Sequence, residues 1–132
     1  MRIVLDTNVL ISATLWDNSL SHKLLIKLIE KNIEIFTRLE IIEEYKKVPL
    51  RDFKYKIEEA ESIIQHLISF LGIVNPISWL EVIKEDPSDN KILECAIASS
   101  STFILSYDNH LLKLKEFGEI KILTSNDFIK LI

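Results

Sequence analysis

Along this chain, short continuous apolar runs alternate with longer stretches whose apolar residues recur every three or four positions. The runs are Ile3-Val4-Leu5, Ile33 to Phe36, Ile73-Val74, Phe103-Ile104-Leu105 and Ile120 to Leu123. Each is too short for a helix and rich in β-branched or aromatic residues, so five strands are expected. Helical spacing covers Asn8 to Leu15, Ser21 to Lys31, Leu39 to Val48, Phe53 to Leu71, Asn90 to Ser100 and Asn109 to Lys115, with Asp127 to Leu131 closing the chain. The strand runs lack the apolar/polar alternation of a sheet with one wet face. The expected fold is therefore α/β, in three α/β/α layers: a central, mostly parallel sheet covered by helices on both faces and joined by right-handed crossovers. In such folds ligands gather beyond the carboxyl ends of the strands.

Composition narrows the class. With 132 residues and no repeat, charge block or Ser/Gly linker, a single domain over 1–132 is expected. The lone cysteine, Cys95, excludes an intramolecular disulfide or a zinc-finger ligand set and points to a reducing cytoplasm. A formal net charge of −4 provides no global positive field, so a nucleic-acid partner needs a local basic patch. Ser62 to Leu80 carries no formal charge, but Gln65, His66, Asn75 and Pro76 interrupt it. Ile63, Ile64, Leu67, Ile68 and Leu71 recur at one-face spacing, which is an amphipathic helix and not a membrane span. Asp6 sits in the middle of the N-terminal apolar stretch, so no signal peptide is expected.

The acids that follow the strands are the candidate chemistry. Asp6 ends the run Ile3-Val4-Leu5, and Asp108 follows Phe103-Ile104-Leu105 by way of Ser106 and Tyr107. Taken singly, each suits an ordinary helix N-cap. Asp89, in Asp86-Pro87-Ser88-Asp89-Asn90, shares a helical stripe with Leu93, Ala96 and Ile97, which turns it toward the sheet; Asp86 lies outside that register and reads as a turn or capping residue. On the helix after the second strand the apolar arc is Ile41, Ile42, Tyr45 and Val48. Glu44 flanks that arc, whereas Glu43 faces away with Lys46 and Lys47 at i+3 and i+4. A lone glutamate there is ordinary helix surface.

Four strings in order resemble the PIN-domain nucleases, in particular the small single-domain toxins of prokaryotic type II toxin–antitoxin pairs. They are Ile3-Val4-Leu5-Asp6-Thr7-Asn8-Val9-Leu10-Ile11-Ser12, Ile41-Ile42-Glu43-Glu44-Tyr45, the stretch from Asp86 to Ala96, and Ser106-Tyr107-Asp108. The resemblance implies a sheet of order 3-2-1-4-5 and an acidic cluster that binds a divalent metal for hydrolysis of RNA. Residue by residue it carries over to Asp6, Glu44, Asp89 and Asp108 as the catalytic, metal-holding acids. Asn8 and Ser106 take the places of supporting polar residues. It also implies a small antitoxin partner and a homodimer. Where the family commonly has a further acid two positions after Asp108, this chain has His110.

Residue physics supports a cation site. Two carboxylates about 4 Å apart repel by roughly 4 kcal/mol at an effective dielectric of 20, so four together need protons or a cation. Oxygen donors suit Mg²⁺ or Mn²⁺. Cys95 and His66 lie on apolar helical stretches and are expected to pack; His22 has no assigned role. Phosphate contacts would come from among Arg38, Lys46, Lys47, Arg51, Lys91 and Lys113. Two other readings compete: a phosphoryl-transfer domain with Asp6 as nucleophile, and a noncatalytic domain that binds RNA or a protein partner.

Overall fold

The computed structural model describes residues 1–16, 18–77, 83 and 88–132. In chain order the elements are β1 (Arg2–Leu5), α1 (Thr7–Leu15), α2 (Leu20–Glu30), β2 (Glu34–Thr37), α3 (Leu39–Arg51), α4 (Ile57–Ile68), β3 (Leu71–Ile73), α5 (Asp89–Ala98), β4 (Phe103–Leu105), α6 (Asn109–Leu114), β5 (Glu116–Phe117), β6 (Ile120–Leu123) and α7 (Ser125–Ile129). The strands form one sheet of order β3-β2-β1-β4-β6-β5. All pairings are parallel except the β5–β6 hairpin.

The five expected strands thus keep the expected order, and β5 extends the sheet beyond β6. That extra strand is two residues long and half charged, which is why it leaves no trace in the hydrophobic pattern. The third strand begins at Leu71, two residues before the run Ile73-Val74. Gly72 interrupts the apolar pattern there, and the packing explains the glycine, because a Cβ at 72 would stand 2.6 Å from the Phe36 ring. The third helix continues through Pro49 to Arg51, beyond the expected end at Val48, while α4 starts at Ile57 and not at Phe53.

Why the sheet has no polar face is visible in its alternation. Ile3 and Leu5 of β1 pack with Leu105, Val9, Leu10, Leu28 and Phe128 in one core. Val4 packs with Ile104, Leu93, Ala96, Leu111 and Ile122 in the other. Successive side chains point to opposite faces, and each face is covered, so α1, α2, α4 and α7 form one outer layer and α5 and α6 the other. Helix α3 serves both, with Tyr45 in the first core and Ile41 in the second. Among the described residues no helix is long and apolar enough to cross a membrane.

Candidate functional site

The central strands β1 and β4 run side by side, with Leu5 opposite Leu105, so the residues leaving their carboxyl ends arrive together. The sheet bonding continues past both ends: the Asp6 N–H donates to the Leu105 carbonyl at 2.9 Å, and the Ser106 N–H donates to that of Leu123 at 3.0 Å. Ser106 is fully buried and its Oγ donates to Asp6 Oδ2 at 2.6 Å, while the backbone N–H of Asp108 donates to that same Oγ at 2.9 Å. One hydroxyl therefore fixes both strand-end acids.

The capping explanation separates the two. Asp6 occupies the N-cap position of α1 but makes no side-chain cap hydrogen bond. Asp108 does cap α6, its Oδ1 accepting from the N–H groups of His110 at 2.8 Å and Leu111 at 3.3 Å. Asp89 is the first helical residue of α5 and is buried. The start of that helix is pinned by Asn90, whose amide exchanges two hydrogen bonds with the backbone of Ile83, at 2.8 and 2.9 Å. The stripe predicted for this helix is corrected at one place: Ile97 is exposed, and Ile92 is buried beside Leu93 and Ala96.

Donor atoms of Asp89, Asp108 and His110 all lie within 4.8 Å of one another. Glu44, exposed on α3, leans on this end of the sheet by accepting a 3.3 Å hydrogen bond from Thr7 Oγ1. Glu43 is exposed as well, and the two glutamates line one cleft with Lys47, Ser88 and Lys91. Lys46 reaches across to Glu61 of α4 at 4.0 Å, not to Glu43. Asn8 is exposed and lines an apolar groove with Trp16, Phe53 and Tyr107; among the described residues it makes no hydrogen bond to the acids. Asp86 lies outside the described residues.

The electrostatics follow from this placement. Burial raises the Asp6 carboxyl above its ordinary value, the Ser106 hydroxyl and the Thr7 amide oppose the rise, and the charges of Asp108 and Glu44 add to it. Among the described residues no lysine or arginine pairs with Asp6. Ionising Asp6 is therefore costlier in the fold than in water.

A sequence model described as the PIN domain matches residues 2–110. The chain belongs to the PIN-domain family. A relative in Methanocaldococcus jannaschii, the uncharacterized protein MJ1680, is 29% identical over 143 residues, covering 98% of this chain and 90% of that protein. Among solved structures, the fold is similar to a chain of VapBC2 from Rickettsia felis bound to a DNA fragment from its promoter, with a TM-score of 0.66 at 17% identity over 92% of this chain and 97% of that one. It is also similar to a chain of VapBC-1 from nontypeable Haemophilus influenzae, with a TM-score of 0.68 at 14% identity over 96% and 99%. At these identities the two structures speak for the fold.

The donor set of this PIN domain fits a divalent cation: donor atoms of Asp89, at the start of α5, and of Asp108 and His110, at the start of α6, lie within 4.8 Å of one another, and the buried Asp6 feels the charge of Asp108. Sequence reasoning overlooked Thr7 and the buried Arg38–Glu94 pair. Arg38 Nη1 donates to Glu94 Oε1 at 2.7 Å and to the Lys91 carbonyl at 3.2 Å, and its Nη2 pairs with Glu40. The only signal was a charge inside the otherwise apolar string Ile92-Leu93-Glu94-Cys95-Ala96. Arg38 is thereby committed to the fold and leaves the list of phosphate contacts, and Arg51 is paired with Asp52 at 2.8 Å. Cys95 packs as expected, and burial pushes its thiol up to about 12, too high for a nucleophile. His66 does not pack inside; it is exposed, its ring edge against Phe70. His22 bonds the Ala13 carbonyl through Nδ1 at 2.8 Å.

Proposed function

We propose that this PIN domain is a divalent-metal-dependent ribonuclease that hydrolyses phosphodiester bonds of single-stranded RNA, and that it is the toxin of a toxin–antitoxin pair. The observation that carries the reading is the buried Asp6, without a cationic partner among the described residues and facing the charges of Asp108 and Glu44, where Asp108 in turn lies close to Asp89 at the carboxyl edge of a PIN sheet. Such an arrangement is costly unless a positive ion completes it.

In this reading Asp89 and Asp108 hold Mg²⁺ or Mn²⁺, and Asp6 and Glu44 complete the acidic surround. An ion bound there would supply Lewis-acid stabilisation of charge on a phosphoryl group and would acidify water. The chain's own residues do the rest. Ser106 keeps the Asp6 carboxylate in one orientation through its 2.6 Å hydrogen bond, and Thr7 holds Glu44 toward the site. Lys47 and Lys91, in the cleft with Glu44, take the RNA backbone. The likeness to chains of VapBC complexes supports a small antitoxin as partner.

The deciding experiment incubates the chain with single-stranded RNA in Mg²⁺ or Mn²⁺ and with a chelator. Cleavage is expected only with metal. Asp6→Asn, which keeps an acceptor for Ser106 but removes the charge, is expected to lower cleavage by about a hundredfold or more, since disturbing even the outer support of a metal ligand costs 10–100-fold. Undiminished cleavage by Asp6→Asn would sink the proposed role, and RNA binding with no metal-dependent cleavage would favour a noncatalytic domain.

A further inference from the structure

His110 is where the chain departs from an all-carboxylate set, and among the described residues its Nδ1 makes no hydrogen bond. It is the second residue of α6, and its backbone N–H is tied to Asp108 Oδ1 at 2.8 Å, which fixes where the side chain starts. Its Nδ1 is a buried atom without a hydrogen-bond partner among the described residues. The distance from Nδ1 to Asp108 Oδ1 is 3.7 Å, beyond a hydrogen bond. Yet a ring nitrogen and the carboxylate oxygens of Asp89 and Asp108 lie within 4.8 Å of one another. Donor atoms this close together, with His110 and Asp108 not hydrogen-bonded through Nδ1, are within reach of one divalent ion.

The chemistry of those donors selects the ion. Mg²⁺ takes oxygen ligands and keeps its water shell, whereas an imidazole nitrogen is a borderline donor that suits first-row transition ions. We propose that His110 supplies a ring nitrogen to the divalent ion held by Asp89 and Asp108, so that this site is a mixed nitrogen–oxygen centre that takes a first-row transition ion ahead of Mg²⁺. The proposal rests on the metal-dependent reading above for the presence of an ion, and concerns which ion and which ligand.

Mn²⁺ is the probe, because its unpaired electrons report their ligands. Pulsed electron paramagnetic resonance of the full chain with Mn²⁺ is expected to show modulation from a directly bound ¹⁴N, absent in His110→Asp. In parallel, displacement of Mn²⁺ by Mg²⁺ gives the ratio of their dissociation constants, and His110→Asp is expected to lower the preference for Mn²⁺ by about tenfold or more. The variant keeps the backbone N–H that Asp108 accepts and puts an acid in the first turn of a helix, so it should fold; His110→Gln gives the same spectroscopic test without adding charge. Mn²⁺ bound without nitrogen modulation, or a metal preference unchanged in His110→Asp, overturns this inference alone and leaves His110 as a neighbour of Asp108 outside the ion's ligand set. Failure of both ions to bind, or Mn²⁺ affinity unchanged in Asp108→Asn, overturns it together with the metal-dependent reading.

Discussion

Two carboxylates are buried on this molecule to nearly the same depth and treated in opposite ways. Glu94 is 4% exposed and is met by Arg38 at 2.7 Å; Asp6 is 7% exposed and is met by a hydroxyl, with further acids nearby. The Arg38–Glu94 pair joins the start of α3 to the middle of α5, and its charge is closed within the fold. The Asp6 region has donors to hold the carboxylate in place but nothing among the described residues to neutralise it. A charge that the fold balances itself serves the fold; a charge that the fold orients and leaves unbalanced is addressed to something that comes from outside.

That contrast is open to attack. The largest effect expected is on stability: Arg38→Met leaves Glu94 buried without its cation and should cost about 3–5 kcal/mol, measured by urea unfolding. The double variant Arg38→Met with Glu94→Leu should recover most of the loss, since apolar replacement of a whole buried pair is often close to neutral. A single variant as stable as the parent would mean that Glu94 is balanced by other groups and the contrast is false.

Next in size is a pair of isosteric changes on α3 that marks where the unbalanced region ends. Glu44→Gln should slow RNA cleavage by about 10–100-fold with little change in folding, because it removes a charge tied to the site through Thr7. Glu43→Gln, in the same cleft but without the bond to Thr7 that Glu44 accepts, should leave the rate nearly intact and change stability by no more than about 0.5 kcal/mol. Equal rates for the two would remove Glu44 from the region.

The smallest effect is on pH dependence without metal. The folded Asp6 carboxyl is raised above 3.8, so its protonated form is the one the fold prefers. Its contribution to stability is present below 3.8 and is lost as pH rises through the raised folded value. Stability of the metal-free chain should therefore fall across that interval, and Asp6→Asn should flatten this part of the profile. A wild-type profile rising there, with Asp6→Asn unchanged, would show that the carboxyl is not strained.

The sequence made the layered fold legible because each central strand is short, apolar and bounded, and because Asp6 and Asp108 stand directly after two of them. What it concealed had local causes. Gly72 removed a side chain from β3, and β5 was too brief and too polar to register. The exposed Ile97 and His66 show the limit of reading a helix face by periodicity alone, since which flank is covered depends on where the next layer ends. Arg38 and Glu94 stand 56 residues apart and could be matched only in space.

The hydrogen bond between Ser106 and Asp6 spans 100 residues of chain, and this has a consequence for a protein being made. Synthesis at about 5–20 residues per second puts on the order of 5–20 s between the appearance of Asp6 and that of Asp108. Until β4 is in place beside β1, Asp6 has neither its hydroxyl donor nor the neighbouring charge of Asp108. The first acid of the site is therefore completed only by a strand made about a hundred residues after it.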